Sequence, residues 1–184
     1  MSDEQLIHEI LSGDTSSFKT LMEKYQLQVF RTVMGFVHTK EDAEDVTQDI
    51  FVKVYQSLTS FKGESEFSTW LYRITVNMSI NFINRNRKNR LLQSLEDIFH
   101  KPSGEKTPME HLEDSERDHR IRKAIDSLPE KQRMAFILSK YEELPQKTIA
   151  SVMNTSEGAV EQLLQRAKNN LQKKINYITV GNQL

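Results

Sequence analysis

From Phe67 to Met78, apolar side chains recur at Phe67, Trp70, Leu71, Ile74 and Met78. These steps follow the period of an α-helix and rule out the two-residue alternation of a half-buried strand. A second face of the same helix carries Arg73, Asn77, Asn81, Asn84 and Lys88, so hydrogen-bonding side chains fall on one ridge. The ridge runs into Arg85, Arg87, Lys88 and Arg90, four cations within six residues, and Phe61, Phe67, Trp70 and Tyr72 set four aromatics at its start. Phosphates attract such cations, unstacked bases stack on aromatic faces, and base edges pair with amide donor–acceptor groups. Each feature alone suits a core helix with a solvated, charged end; their coincidence favours nucleic-acid contact.

The rest of the chain has the same helical character. Apolar stripes predict helices over 3–12, over 15–38 (Phe18, Leu21, Met22, Tyr25, Val29, Val33, Phe36) and over 41–59 (Ala43, Val46, Ile50, Val54, Leu58). Asp14 suits the N-cap of the second, and Gly63 gives the loop Phe61–Ser65 access to positive φ. With the helix from Phe67 to about Lys88, four helices of this kind can bury one core. Periodicity then fails over 95–118, a stretch with two prolines, one glycine and eight acids, which has the composition of a flexible acidic linker. Beyond it, Ile121, Ala124, Ile125 and Leu128 predict a helix ended by Pro129, and Met134, Ile137 and Leu138 the inner side of another. The run from Pro145 reads as a helix-turn-helix. Ile149, Ala150, Val152 and Met153 form the packing face, Asn154 turns left-handed and Ser156 caps a helix with Val160, Leu163, Leu164, Ala167 and Leu171 inside. The fold expected is all-α, with helical domains at 1–94 and 119–184 joined by the linker 95–118.

Net charge is −1, but the balance by segment is −5 over 1–60, +4 over 61–95, −5 over 96–118 and +5 over 119–184. Two basic blocks between acidic ones suit two nucleic-acid contacts and a separate surface for something else. The chain has no cysteine, which excludes disulfides and thiolate metal sites. The absence of a signal-like start or an 18-residue apolar run predicts a cytoplasmic protein. No phosphate-binding, dinucleotide, nucleophile-elbow or zinc-protease motif occurs, and the five histidines are scattered, so neither an enzyme nor a cofactor is expected. The acidic cluster Glu41, Asp42, Glu44, Asp45 and Asp49 lacks the glycine turn and alternate spacing of a calcium loop. It reads as a solvated helix face or a docking surface.

The run FKGESEFSTWLYRITVN, from Phe61 to Asn77, resembles promoter-melting region 2 of bacterial extracytoplasmic-function sigma factors of the sigma-70 family. The preceding DAEDVTQDIFVKVY, from Asp42 to Tyr55, resembles the polymerase-binding helix of that domain, and the C-terminal half resembles their region 4. The resemblance implies an alternative sigma factor that binds core RNA polymerase, directs it to promoters and helps open the DNA, with an anti-sigma factor as its restraint. It places Asp45, Gln48, Asp49 and Lys53 toward the polymerase clamp helices. It places Lys62, Ser65, Trp70, Arg73, Asn77 and Asn81 at the −10 element, with Arg85, Arg87, Lys88 and Arg90 along the backbone. Glu157, Gly158, Glu161, Gln162 and Gln165 would face the −35 element, with Lys147 and Arg166 near phosphates.

One departure from the family stands out. Related factors commonly read G-T-V-[KR]-S-R after the turn, whereas here the stretch is Gly158-Ala159-Val160-Glu161-Gln162-Leu163. An alternative from another class is a conventional helix-turn-helix regulator whose N-terminal bundle senses a ligand or dimerises; a third is an anti-sigma or scaffold protein without DNA contact.

Overall fold

The computed structural model describes the backbone of residues 1–99 and 116–181, and side chains over 1–89 and 120–174. Arg90 and the whole of the expected linker 95–118 lie outside the described side chains. Among the described residues all regular structure is helical: α1 (Asp3–Leu11), α2 (Thr15–Val37), α3 (Lys40–Ser57) with a 3-10 turn at Leu58–Ser60, α4 (Phe67–Phe99), α5 (Glu116–Asp126), α6 (Glu130–Lys140), α7 (Gln146–Met153) and α8 (Glu157–Gly181).

Local chemistry sets the boundaries. Ser2 and Gln5 form a reciprocal capping box at α1. Asp14 accepts the Ser16 amide at 2.8 Å at the start of α2, and hydrogen bonds from Ser16 hold its carboxyl below the usual range. α2 ends at His38, left-handed at φ 66°, and Thr39 then caps α3 through the Asp42 amide. α4 runs past Lys88 to Phe99, because the residues after Lys88 include no proline before Pro102 to stop it.

The first core takes Leu21, Val29 and Val33 from α2 and the whole expected stripe of α3, Ala43, Val46, Ile50, Val54 and Leu58. α4 contributes Phe67 and Leu71, with Trp70, Ile74 and Met78 half-buried against them. The other side of α4 is apolar too. Tyr72, Val76 and Ile80 join Phe36 of α2 in a second core with Ile137 and Leu138 of α6, Ile149, Ala150 and Val152 of α7, and Val160 of α8. Its members come from both halves of the chain, so the two halves are packed together. Gly35 marks a close approach of α2 and α6: a Cβ there would lie 2.9 Å from Ile137 Cγ2.

Three C-terminal expectations are corrected. Ile121 stays exposed, while Ala124 and Ile125 of α5 and Leu128 just after it are buried. Met134 is half-buried, and Arg133 takes an inner position, its Nη1 3.7 Å from Asp126 Oδ1. Leu163 and Leu164 are partly buried against the second core, while Val160 and Ala167 are fully inside.

Candidate nucleic-acid interface

The loop after Phe61 is shaped by aromatic packing at one end and a glycine in its middle. Phe61 meets Phe67 at 5.6 Å and Trp70 at 5.4 Å between ring centroids, and Gly63 takes φ 70° with open space around it. The turn exposes Lys62, keeps Ser65 half-buried and leads into α4, whose first turn is closed by Thr69 and Trp70 amides donating to Glu66 O. Trp70 is half-buried, packed against the first core.

Asn77, Asn81, Arg85, Arg87 and Lys88 are exposed along α4, with Arg85 5.7 Å above the Phe82 ring. Arg73 and Asn84 are different. Arg73 Nε and Nη2 donate to Ser151 O of α7 at 3.0 and 2.6 Å, and Asn84 Nδ2 lies 3.4 Å from Glu130 Oε2 of α6. The expected ridge is thus held at two of its members by the C-terminal half.

On α3, Asp45, Gln48, Asp49 and Lys53 are all exposed, as a docking face requires. Beside them Phe18, Met22, Phe51, Val52 and Tyr55 line an apolar groove of about 640 Å³, with Val52 and Tyr55 exposed at its rim. Sequence reasoning missed this groove, although Val52 and Tyr55 sit off the core stripe and were visible as unplaced apolar residues.

The helix-turn-helix forms as the residues predict. Asn154 turns at φ 51°, ψ 54°, and Ser156 Oγ accepts the Ala159 amide at 3.2 Å to start α8. Lys147, Glu157, Gly158, Glu161, Gln162, Gln165 and Arg166 are all exposed, and Gln165 Nε2 donates to Asn169 at 3.2 Å. Ser156→Ala is expected to remove that cap at about 1 kcal/mol and lower the melting temperature by a few degrees, read by circular dichroism. An unchanged melting curve would show that the cap does not limit stability.

Three residues that sequence reasoning missed join the halves: Gly35, Arg31 and Glu142. The Glu142 side chain is fully buried, and its Oε2 accepts from Tyr72 Oη at 3.1 Å and Arg31 Nη2 at 3.4 Å. Its Oε1 has no hydrogen-bond partner among the described residues. Burial, then the Glu142 carboxylate, push the Tyr72 phenol above its ordinary range. A mid-helix glycine was a legible signal of close packing; nothing in the sequence distinguishes Glu142 from its neighbour Glu143. Nearby, Arg73 shares a cleft of about 410 Å³ with Lys147, Ser151, Asn154 and Glu157.

No helix among the described residues is long and apolar enough to cross a membrane. The family model for sigma-70 region 2 matches residues 21–89, and that for sigma-70 region 4 matches 118–171. The chain is 32% identical over 180 residues to the RNA polymerase sigma-H factor of Pseudomonas aeruginosa, covering 94% of this chain and 93% of that one. It is 31% identical over 182 residues to the ECF RNA polymerase sigma-E factor of Escherichia coli K12, covering 95% of each. Among solved structures it resembles CnrH, determined with the cytosolic domain of CnrY, at TM-score 0.69 and 22% identity over 95% of this chain and 97% of that one. It also resembles the sigma factor RpoE of Bartonella quintana, determined with the anti-sigma factor NepR, at TM-score 0.61 and 23% identity over 88% of this chain and 98% of that one.

Proposed function

Since the chain belongs to the extracytoplasmic-function group of the sigma-70 family and is an alternative sigma factor, we propose that its three exposed surfaces divide the work of promoter opening. α3 docks on the clamp helices of core RNA polymerase through Asp45, Gln48, Asp49 and Lys53, and the apolar groove beside them adds contact area. The loop from Lys62 to Glu66, with Ser65 and the Asn77–Asn81 ridge, reads the −10 element as its strands part. Trp70 supports this surface from the core side, Arg73 joins it when the halves separate, and Arg85, Arg87, Lys88 and Arg90 follow phosphates. α8 enters the major groove of the −35 element through Glu157, Gly158, Glu161, Gln162 and Gln165, with Lys147 and Arg166 at the backbone. The chain supplies binding and strand separation and no covalent chemistry, and it acts in the cytoplasm, where an anti-sigma factor restrains it.

The observation that carries this reading is one chain holding an amide ridge, a helix-turn-helix and an exposed acidic face on separate helices. A conventional helix-turn-helix regulator needs only the second. Run-off transcription with core polymerase on a genomic promoter library tests it. Discrete transcripts that require the chain support the reading, and polymerase activity indifferent to it would sink it.

The exposed acid on α8 yields a sharper test. Glu161 repels phosphates but can accept a hydrogen bond from a cytosine amine, while Gln162 and Gln165 can pair with adenine. The −35 preference should therefore differ from that of relatives with a basic residue at this place. Glu161→Lys is expected to raise nonspecific DNA affinity, steepen its log–log salt dependence by about one unit and blur discrimination at one base pair, measured by fluorescence anisotropy across salt. Unchanged affinity, slope and preference would remove this helix from the groove.

A further inference from the structure

Along the outer face of α8, Glu161, Gln165 and Asn169 follow one another a turn apart. All are exposed and turned away from the buried Val160 and Ala167. From Glu157 to Gln165 the helix carries no lysine or arginine. The next cations, Arg166 and Lys168, are exposed and fall on opposite flanks of this strip. A helix so built sends charge toward the two phosphate walls of a groove and leaves its centre to hydrogen-bond with base edges.

One side chain in the strip is held by another. Gln165 Nε2 donates to Asn169 Oδ1 at 3.2 Å. An amide carries its oxygen and its nitrogen on opposite sides, so tying the nitrogen to the next turn sends Oε1 back toward Glu161. The Glu161 carboxylate only accepts. Two acceptors therefore stand in line, about 6 Å apart at about 1.5 Å of rise per residue, a length of about two base steps at about 3.4 Å each. In the major groove adenine and cytosine offer an exocyclic amine, whereas guanine and thymine offer only acceptors. An acceptor set against an acceptor stays unpaired after losing its water, and that cost discriminates.

We propose that Asn169 is a positioning residue for base readout: it turns the Gln165 carbonyl outward in line with Glu161, so that α8 selects bases with an exocyclic amine, adenine or cytosine, at two neighbouring positions of one −35 strand. This rests on the seating of α8 in the −35 groove; beyond the Glu161 contact, it names the class of base and the residue that sets it. Asn169 acts through Gln165 and touches no base. Without Asn169 the Gln165 amide is free to rotate and offers donor and acceptor alike, so guanine and thymine become acceptable at its position.

The test is selection of bound promoters from a library randomised over the −35 element, with the full chain assembled on core RNA polymerase. Kd values on single-base variants of the selected site follow. Wild type is expected to enrich adenine or cytosine at two positions of one strand, one or two steps apart, with guanine or thymine costing about tenfold at each. Gln165→Ala should erase the preference at one of them and so identify its position. Asn169→Ala should cut discrimination there to about twofold, leave the other position unchanged and raise the Kd of the selected site less than about threefold. Asn169→Asp keeps the accepting oxygen and should restore the discrimination. Adding Asn169→Ala to Gln165→Ala should change nothing further, a non-additivity that a merely structural role for Asn169 would not produce. Guanine or thymine at both positions, or Asn169→Ala with wild-type discrimination, overturns the proposal. A library with no enriched −35 site overturns instead the seating of α8 on which it rests, so the two failures are told apart.

Discussion

Reversing both acids on the exposed face of α3, Asp45→Lys with Asp49→Lys, is expected to weaken assembly with core RNA polymerase by about two orders of magnitude, about 3 kcal/mol. Both side chains are exposed, so their removal leaves no buried partner behind. The core beneath them is Val46 and Ile50, which the substitutions do not touch. Melting temperature should therefore hold. A single exposed ion pair contributes a few tenths of a kcal/mol to about one; the larger effect is expected because two charges are reversed at once on the face proposed to dock. The loss should fall mainly on the association rate and shrink as salt rises. Binding of the full chain to duplex DNA without polymerase is the control and should not fall. Wild-type assembly at moderate salt would make this face a merely solvated one.

Removing two polar side chains from the proposed melting surface, Lys62→Ala with Asn77→Ala, is expected to slow open-complex formation on duplex promoters about tenfold or more, on the scale of one good base contact. Lys62 and Asn77 are exposed and outside the aromatic cluster that Trp70 helps to build, so thermal stability should be nearly unchanged. Trp70→Ala is the poorer probe, because its ring packs 5.4 Å from Phe61 and 5.7 Å from Phe67. Permanganate footprinting on a duplex and on a pre-melted bubble separates melting from binding. The defect should be smaller on the bubble; equal defects on both templates would assign these residues to binding alone.

The α3 stripe was legible in full because all five of its positions face one core. On α4 only half the burial was legible. Tyr72, Val76 and Ile80 recur at helical spacing, yet they alternate with Thr75 and Ser79, which disguise a buried face as a polar one. Those hydroxyls are satisfied by the helix itself, Thr75 donating to Leu71 O at 2.9 Å and Ser79 to Thr75 O at 2.8 Å, so they enter the interior without an outside partner. The positions of the exposed residues at the start of α8 followed from the turn at Asn154 and the cap at Ser156, both local signals. The engagement of Arg73 by Ser151 could not be read in the same way. Its acceptor is a backbone carbonyl 78 residues away, and a carbonyl carries no sequence identity.

The two-sided burial of α4 also bears on how much free factor a solution can carry. Parting the halves turns Phe36, Tyr72, Val76 and Ile80 toward water, with Ile137 and Ile149 uncovered opposite them. Contiguous apolar surface of that kind drives self-association. An opened chain without polymerase should therefore be a poorly soluble species, with a shelf life that shortens as its concentration rises. Variants that free Arg73 would then be limited in practice by precipitation before they are limited by promoter affinity.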